Sequence, residues 1–216
     1  MVKHIAQTNS LVNCWISELR NVEVQEDRMR FRRNMERIGE VIAYEISKGL
    51  QYETEEITTP LGVYNAKKLS TQPVIATIFR AGFPLFNGMM NFFDKADSAF
   101  VAAYRKHKQD GSFFINQQYV TCPDLEGRPL IIADPMLATG SSLLLALDEL
   151  LVFGKPSEVH IVVVIACTEG VAAVKSKFPD FNIWAADIDD ELTAKAYIVP
   201  GLGDAGDLSF GNKLQI

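Results

Sequence analysis

Five short, almost unbroken apolar segments leave this chain few folds to adopt: Val74–Phe79, Ala99–Tyr104, Leu130–Ala133, Val159–Ala166 and Ile183–Ala186. A strand that is apolar at nearly every position has both faces covered, the usual condition of a parallel strand between layers of helices. Helical segments at Ser142–Phe153 and Gly170–Phe178 alternate with the last three strands. Strand–helix–strand alternation specifies an α/β fold with an open, mainly parallel sheet and helices on both faces. Ligands of such sheets bind beyond the carboxyl ends of the strands. The residues that follow each strand are therefore where chemistry is expected.

The segments outside this alternation have other periods. Glu26 to Ser47 carries Met29, Met35, Ile38, Val41, Ile42 and Ile46 near helical spacing, with Gly49 as a stop. Tyr52–Thr59 and Val63–Leu69 flank Pro60-Leu61-Gly62 and predict a β-hairpin arm. A second hairpin, a flap, is predicted between Phe113 and Thr121. No repeat or Pro/Ser-rich linker divides the chain.

Composition narrows the function classes. With 216 residues, 48% hydrophobic and 22% charged, the chain can bury a core as one soluble domain. A formal net charge of −6 gives no overall attraction to a nucleic-acid backbone, so nucleic acid is not expected as a partner. The three cysteines, Cys14, Cys122 and Cys167, form no CxxC or Cys/His cluster, which argues against structural zinc and suits a reducing cytoplasm. The longest apolar run, around Val159–Cys167, is too short to span a bilayer, and no membrane association is expected.

The segment after Leu130–Ala133 is Asp134-Pro135-Met136-Leu137-Ala138-Thr139-Gly140-Ser141-Ser142. Pro135 keeps Asp134 extended, at the strand tip. The small residues Ala138 to Ser142 let backbone amides crowd around a ligand, and the helix that follows adds its positive end. Together they can hold a phosphate, while Asp134 can accept hydrogen bonds from sugar hydroxyls. A helix simply capped by Thr139 or Ser141 would read the same way by spacing alone. The loop lacks both the Gly-Lys-Ser/Thr ending of a triphosphate loop and GxGxxG.

Near the end lies Tyr197-Ile198-Val199-Pro200-Gly201-Leu202-Gly203-Asp204-Ala205-Gly206-Asp207. Its glycines allow peptide groups to approach a flat ligand, although a surface Gly/Asp turn has the same composition. Arg80 and Arg105 end the first and second apolar strands, where a guanidinium can grip phosphate or stand solvated. Lys106–Gly111 reads as a basic hairpin that would close over such a ligand or, for its two lysines in particular, as a solvated charged turn, with His107 as a proton carrier of no fixed place.

These motifs resemble the type I phosphoribosyltransferases. The acid followed by a Thr-Gly-Ser-type loop is similar to their phosphoribosyl diphosphate loop. Asp134 to Gly140 and Pro200 to Asp207 resemble the two signatures of the uracil-specific branch. The resemblance covers about Phe31 to Gly211 and implies one domain over 1–216. In that division the N-terminal helices and hairpin occupy about 1–70, the core about 71–188 and a uracil-binding hood about 189–216.

It further implies transfer of a phosphoribosyl group from 5-phosphoribosyl 1-diphosphate to uracil. Arg80, Arg105, Asp134, Pro135, Met136, Leu137, Ala138, Thr139, Gly140, Ser141, Ser142 and Asp204 would bind the diphosphate substrate. Ile198, Gly203, Asp204 and Ala205 would bind uracil, and Asp204, Arg80 and Arg105 would be catalytic. Mg2+ would be held mainly by diphosphate and water, with Asp204 as a protein ligand. A homodimer or larger homo-oligomer is expected, with GTP as a candidate effector. No residue identifies itself as a general base. Three positions depart from the branch: Ser141 and Ala196 where it has glycine, and Leu208 where it has a basic residue. A transferase acting on another base, or a ligand-sensing regulator, are the alternatives.

Overall fold

The computed structural model describes residues 1–107 and 113–213; of residues 103–107 and 113–118 it describes the backbone alone. In chain order, β1 (Val2–His4) precedes the helices α1 (Leu11–Arg20) and α2 (Arg28–Ser47). The strands β2 (Tyr52–Thr59) and β3 (Gly62–Leu69) follow, then β4 (Val74–Phe79), α3 (Phe83–Phe92), β5 (Asp97–His107) and β6 (Phe113–Thr121). Next come β7 (Pro129–Ala133), β8 (Met136–Leu137), α4 (Ser141–Leu150), β9 (Glu158–Cys167), α5 (Thr168–Lys177) and β10 (Asn182–Asp189). The short strands β11 (Glu191–Leu192) and β12 (Ile198–Val199) and the helix α6 (Ala205–Phe210) complete the order.

The main sheet runs β1-β10-β9-β7-β4-β5-β6, with β8 also pairing β9. Its neighbours are parallel except at β6, which is antiparallel to β5. Both faces are covered, as the unbroken apolar strands require. On one face Ile75, Ile131, Val162 and Val164 pack with Met35, Ile38 and Ile42 of α2 and Leu85 and Met89 of α3. On the other, Val74, Leu130, Ile132, Ile161 and Val163 pack with Leu143, Leu147 and Leu150 of α4 and Val174 of α5. Successive residues of one strand thus feed opposite cores.

The expected helix over Glu26–Ser47 forms as α2, two residues shorter. Asp27 caps it, its side chain accepting from the Arg30 amide at 3.0 Å, and so holds the start at Arg28. Met29, expected on the buried face, is exposed; it lies in the first turn, ahead of the residues that meet the sheet. α2 crosses α3 where Gly39 and Gly88 face each other's backbones. A methyl group on Gly88 would stand 2.0 Å from the Glu36 carbonyl oxygen, and one on Gly39 2.4 Å from that of Leu85.

β2 and β3 form the expected hairpin, paired from Tyr52↔Leu69 to Thr59↔Gly62. The second hairpin, expected within Phe113–Thr121, does not form. That segment is the single edge strand β6, aligned along β5 from Phe100↔Thr121 to His107↔Phe113. The physical reason is in the sequence: no glycine or proline interrupts Phe113–Thr121, and Asn116 alone does not turn a strand whose backbone is paired along its length. Of the Lys106–Gly111 reading, Lys106 and His107 have backbone in β5, and the rest lies outside the described residues. Among the described residues, no helix is long and apolar enough to cross a membrane.

Candidate active site

The carboxyl ends of β4, β7, β9 and β10 lie on one edge of the sheet because these strands are mutually parallel neighbours. Arg80 follows β4, Asp134 follows β7, and Asp189 is the last residue of β10. Arg105 lies within β5, beside β4, and its side chain is outside the described residues.

The segment after β7 is stapled sideways. The Asp134 amide donates to Val162 at 3.1 Å, and the Pro135 carbonyl accepts from the Val164 and Ile165 amides at 3.0 and 2.9 Å. Met136 and Leu137 then pair with Ile165 and Ala166 of β9. Close approach to α5 fixes Leu137 and Ala138: a methyl group on Gly170 would stand 2.3 Å from the Ala138 carbonyl oxygen and 2.8 Å from that of Leu137. Gly140, at φ 84°, turns the chain into α4 in the left-handed conformation that favours glycine.

This geometry corrects the alternative of a side-chain cap. Gly140 occupies the cap position of α4, and no side chain caps the helix. Thr139 Oγ1 lies 3.0 Å from Ser141 Oγ and 3.4 Å from the Ser141 amide instead. Ser141 is the first helical residue and has no positive φ, so its replacement of a glycine carries no backbone strain. Thr139 and Ser142 are half-buried and Ser141 is exposed. The start of α4 therefore presents hydroxyls and open amide positions at the strand edge.

The C-terminal segment roofs the same edge. Ile198 of β12 pairs with Leu192 of β11 and is buried. Gly203 is exposed at φ 94°, and Ala205, buried, opens α6. Asp204 caps α6, its Oδ1 accepting from the Gly206 and Asp207 amides at 2.9 and 3.0 Å. Lys213 Nζ bridges Asp204 Oδ2 at 2.9 Å and Asp207 at 3.4 Å. Burial alone would raise the Asp204 pKa, but the Lys213 ammonium and the two amides outweigh it, and the carboxyl lies below its ordinary value.

Two anchors fix the position of this roof. At one end, the Gly201 amide donates to Asp189 at 2.9 Å, tying the roof to the tip of β10. At the other, Arg80 donates to Asp207 at 3.1 Å and to the Gly211 carbonyl at 3.2 Å, tying it to the tip of β4. In the sheet, β9 and β7 lie between β10 and β4. The loop Asp134–Ser142 thus emerges between the two anchor points. Thr139 and Asp204 make no hydrogen bond with each other; what brings them to one edge is the span of the roof. A cavity of about 240 Å³ beside Arg80 is lined by Phe79, Phe83 and Phe210.

Several residues in this arrangement had no role in the sequence reading. Asp207, Lys213 and Arg32, which donates to the Ser209 carbonyl at 2.7 Å, hold the roof. Arg20 and Asp189 meet across 169 residues of chain, so no local spacing could have paired them. Among the described residues, no group of three or more His, Cys, Asp or Glu side chains could hold a metal ion by itself.

Comparison with known proteins gives a consistent assignment. The family model described as uracil phosphoribosyltransferase matches residues 6–212. A protein of that name from Porphyromonas gingivalis strain W83 is 48% identical over 214 residues, 99% of each chain. One from Methanococcus maripaludis strain C7 is 39% identical over 206 residues, 93% of this chain and 86% of that one. A solved protein structure from Aquifex aeolicus superposes over the whole of both chains, with a TM-score of 0.87 and 28% identity.

Proposed function

The chain belongs to the uracil phosphoribosyltransferase family and makes UMP and diphosphate from uracil and 5-phosphoribosyl 1-diphosphate, a step of pyrimidine salvage; from that premise we propose that the roofed strand edge is its active site. The observation that carries this reading is the roof, anchored at Asp189 and Arg80 with the Asp134–Ser142 loop emerging between. The amides and hydroxyls of Ala138 to Ser142 hold the 5-phosphate, helped by the positive end of α4. Asp134 accepts from the ribose hydroxyls. Ile198, Gly203 and Ala205 meet the edge of uracil with peptide groups.

The reaction breaks the bond from the ribosyl anomeric carbon to diphosphate and forms one to a uracil nitrogen. Negative charge grows on the leaving group, and Arg80, just after β4, is read as meeting it together with Arg105, which lies inside the neighbouring strand β5 and not at its tip. Mg2+, when bound with the diphosphate, would neutralise part of the same charge. Such an ion takes few protein carboxylates and several waters, which fits a site whose acids are few. Asp204 could join it only by giving up Lys213, since its other oxygen caps α6. The lowered pKa of Asp204 makes it a weak base, so its role here is charge and position.

The assembly read here is a homodimer or larger. Its support is the β2–β3 arm, where Ile57, Leu61, Val63 and Tyr64 are all exposed and, among the described residues, no third strand joins the pair. GTP stays in this reading as an effector on the strength of the resemblance alone. A cytoplasmic location is supported by three free thiols, one of them exposed. The site is tested by a crystal structure with UMP. Phosphate on the Ala138–Ser142 amides and base on Ile198–Ala205 are expected; a base bound elsewhere sinks the reading.

A further inference from the structure

The base-binding end of the roof is gripped from below by an ion-paired clamp. Arg20, the last residue of α1, sends Nη1 to Asp189 Oδ2 at 2.8 Å and to the Gly201 carbonyl at 2.9 Å. Its Nη2 goes to Asp189 Oδ1 and to Asp187 Oδ2, both at 2.8 Å. The Gly201 amide returns a bond to Asp189 Oδ2 at 2.9 Å. Both backbone groups of one residue are therefore held by the two members of one bidentate ion pair.

The residue so held is the pivot of the loop. Gly201 is buried at φ 57°, and a methyl group on it would stand 2.2 Å from the Ile198 carbonyl oxygen. Gly201 lies three residues after Ile198, against whose carbonyl it packs, and two before Gly203, so a displacement of Gly201 is passed along the loop to both. The pair is also well enclosed, with side-chain exposures of 18% for Arg20 and 7% for Asp189. An enclosed ion pair contributes little stability over an apolar replacement, because desolvation offsets its attraction; its use is to fix geometry. Asp187 extends the network to His4, whose Nε2 lies 2.9 Å from Asp187 Oδ1.

We propose that Arg20 and Asp189 are positioning residues that set the affinity for uracil by fixing Gly201, and through it the peptide groups of Ile198 and Gly203. This rests on the reading that Ile198–Ala205 holds the base. Neither residue touches substrate. Loss of the clamp leaves the Asp134–Ser142 loop, on the far side of β9, in place.

The full-length enzyme tests this with Arg20→Lys, which keeps the charge but cannot fork to Asp189, Asp187 and Gly201 together, and with Asp189→Asn. The KM for uracil should rise at least about tenfold, the scale of a fraction-of-an-ångström misplacement of a binding group. The KM for phosphoribosyl diphosphate and kcat should stay near the parent values. A uracil KM that does not change in either variant, or a loss of kcat alone alongside a lower melting temperature, overturns the proposal. Gly203→Val separates the two readings. If it raises the uracil KM while Arg20→Lys does not, the clamp is wrong and the loop stands. If it also leaves the uracil KM unchanged, the loop reading itself is wrong.

Discussion

Arg80 and Asp207 lie 127 residues apart in the chain and 3.1 Å apart in space, so the guanidinium at the tip of β4 is occupied by a carboxylate of the roof. Both roof bonds of Arg80 leave from Nη2, so a diphosphate can reach the remaining N–H groups without displacing that carboxylate. The pair is half-exposed, and such pairs contribute about 0–1 kcal/mol.

Arg80→Lys should lower kcat/KM for phosphoribosyl diphosphate by about a hundredfold, because an ammonium cannot make the two parallel bonds of a guanidinium to phosphate oxygens. Steady-state kinetics with that substrate varied would show it. A change of less than about threefold would take Arg80 out of the site.

Gly140→Ala should raise the KM for phosphoribosyl diphosphate and destabilise the protein by about 1 kcal/mol, since alanine is strained at φ 84°. Ser141→Gly should bring no gain in affinity, since Ser141 is already helical without strain. Isothermal titration with the substrate distinguishes the two positions. Equal effects would mean the left-handed turn is misplaced.

Ala196 is the one non-glycine residue with positive φ among those described, at 60°, in the turn between β11 and β12. Ala196→Gly should stabilise the fold by about 1 kcal/mol, read as a shift in the urea midpoint. A decrease in stability would show that the turn is not strained.

Gly88→Ala should be among the most damaging conservative changes, at about 3 kcal/mol, because its methyl group would meet the Glu36 carbonyl at 2.0 Å. Gly49→Ala, whose nearest neighbour would be at 3.6 Å, should be far milder. Comparable melting temperatures for the two would contradict the crossing described here.

His160 is buried on β9, with Trp184 Nε1 donating to its Nδ1 at 3.0 Å and Glu158 2.9 Å from its Nε2. Burial lowers its pKa from the ordinary 6.5, against the raising effect of Glu158. A depressed folded-state pKa means that the unfolded chain takes up the proton first. Stability is then fully present above pH 6.5 and declines as pH falls below it, until the folded-state pKa is passed. His160→Gln should flatten the stability profile below about pH 6.5. An unaltered slope would assign the acid sensitivity elsewhere.

Local pattern carried much of the fold, and the reasons are visible in particular residues. Val74–Phe79 was readable to the residue because its apolar run is bounded by Pro73 and Arg80. The α4 loop was readable because its small residues sit between an apolar strand and an apolar helix. Phe113–Thr121 was misread because a sheet edge has polar positions that resemble a turn, such as Asn116-Gln117-Gln118. Lys213 with Asp204, and Arg20 with Asp189, were invisible because ion pairs formed by folding leave no spacing in the chain.

The touching backbones of α2 and α3 have a reach beyond the core. α2 bears Arg32, which holds the Ser209 carbonyl, while α3 follows directly from the Arg80 turn. The thickness of one absent side chain is therefore built into the clearance between the C-terminal roof and the strand edge beneath it. A designer who widens that distant helix contact by a methyl group would be changing the gap proposed above to receive the substrates.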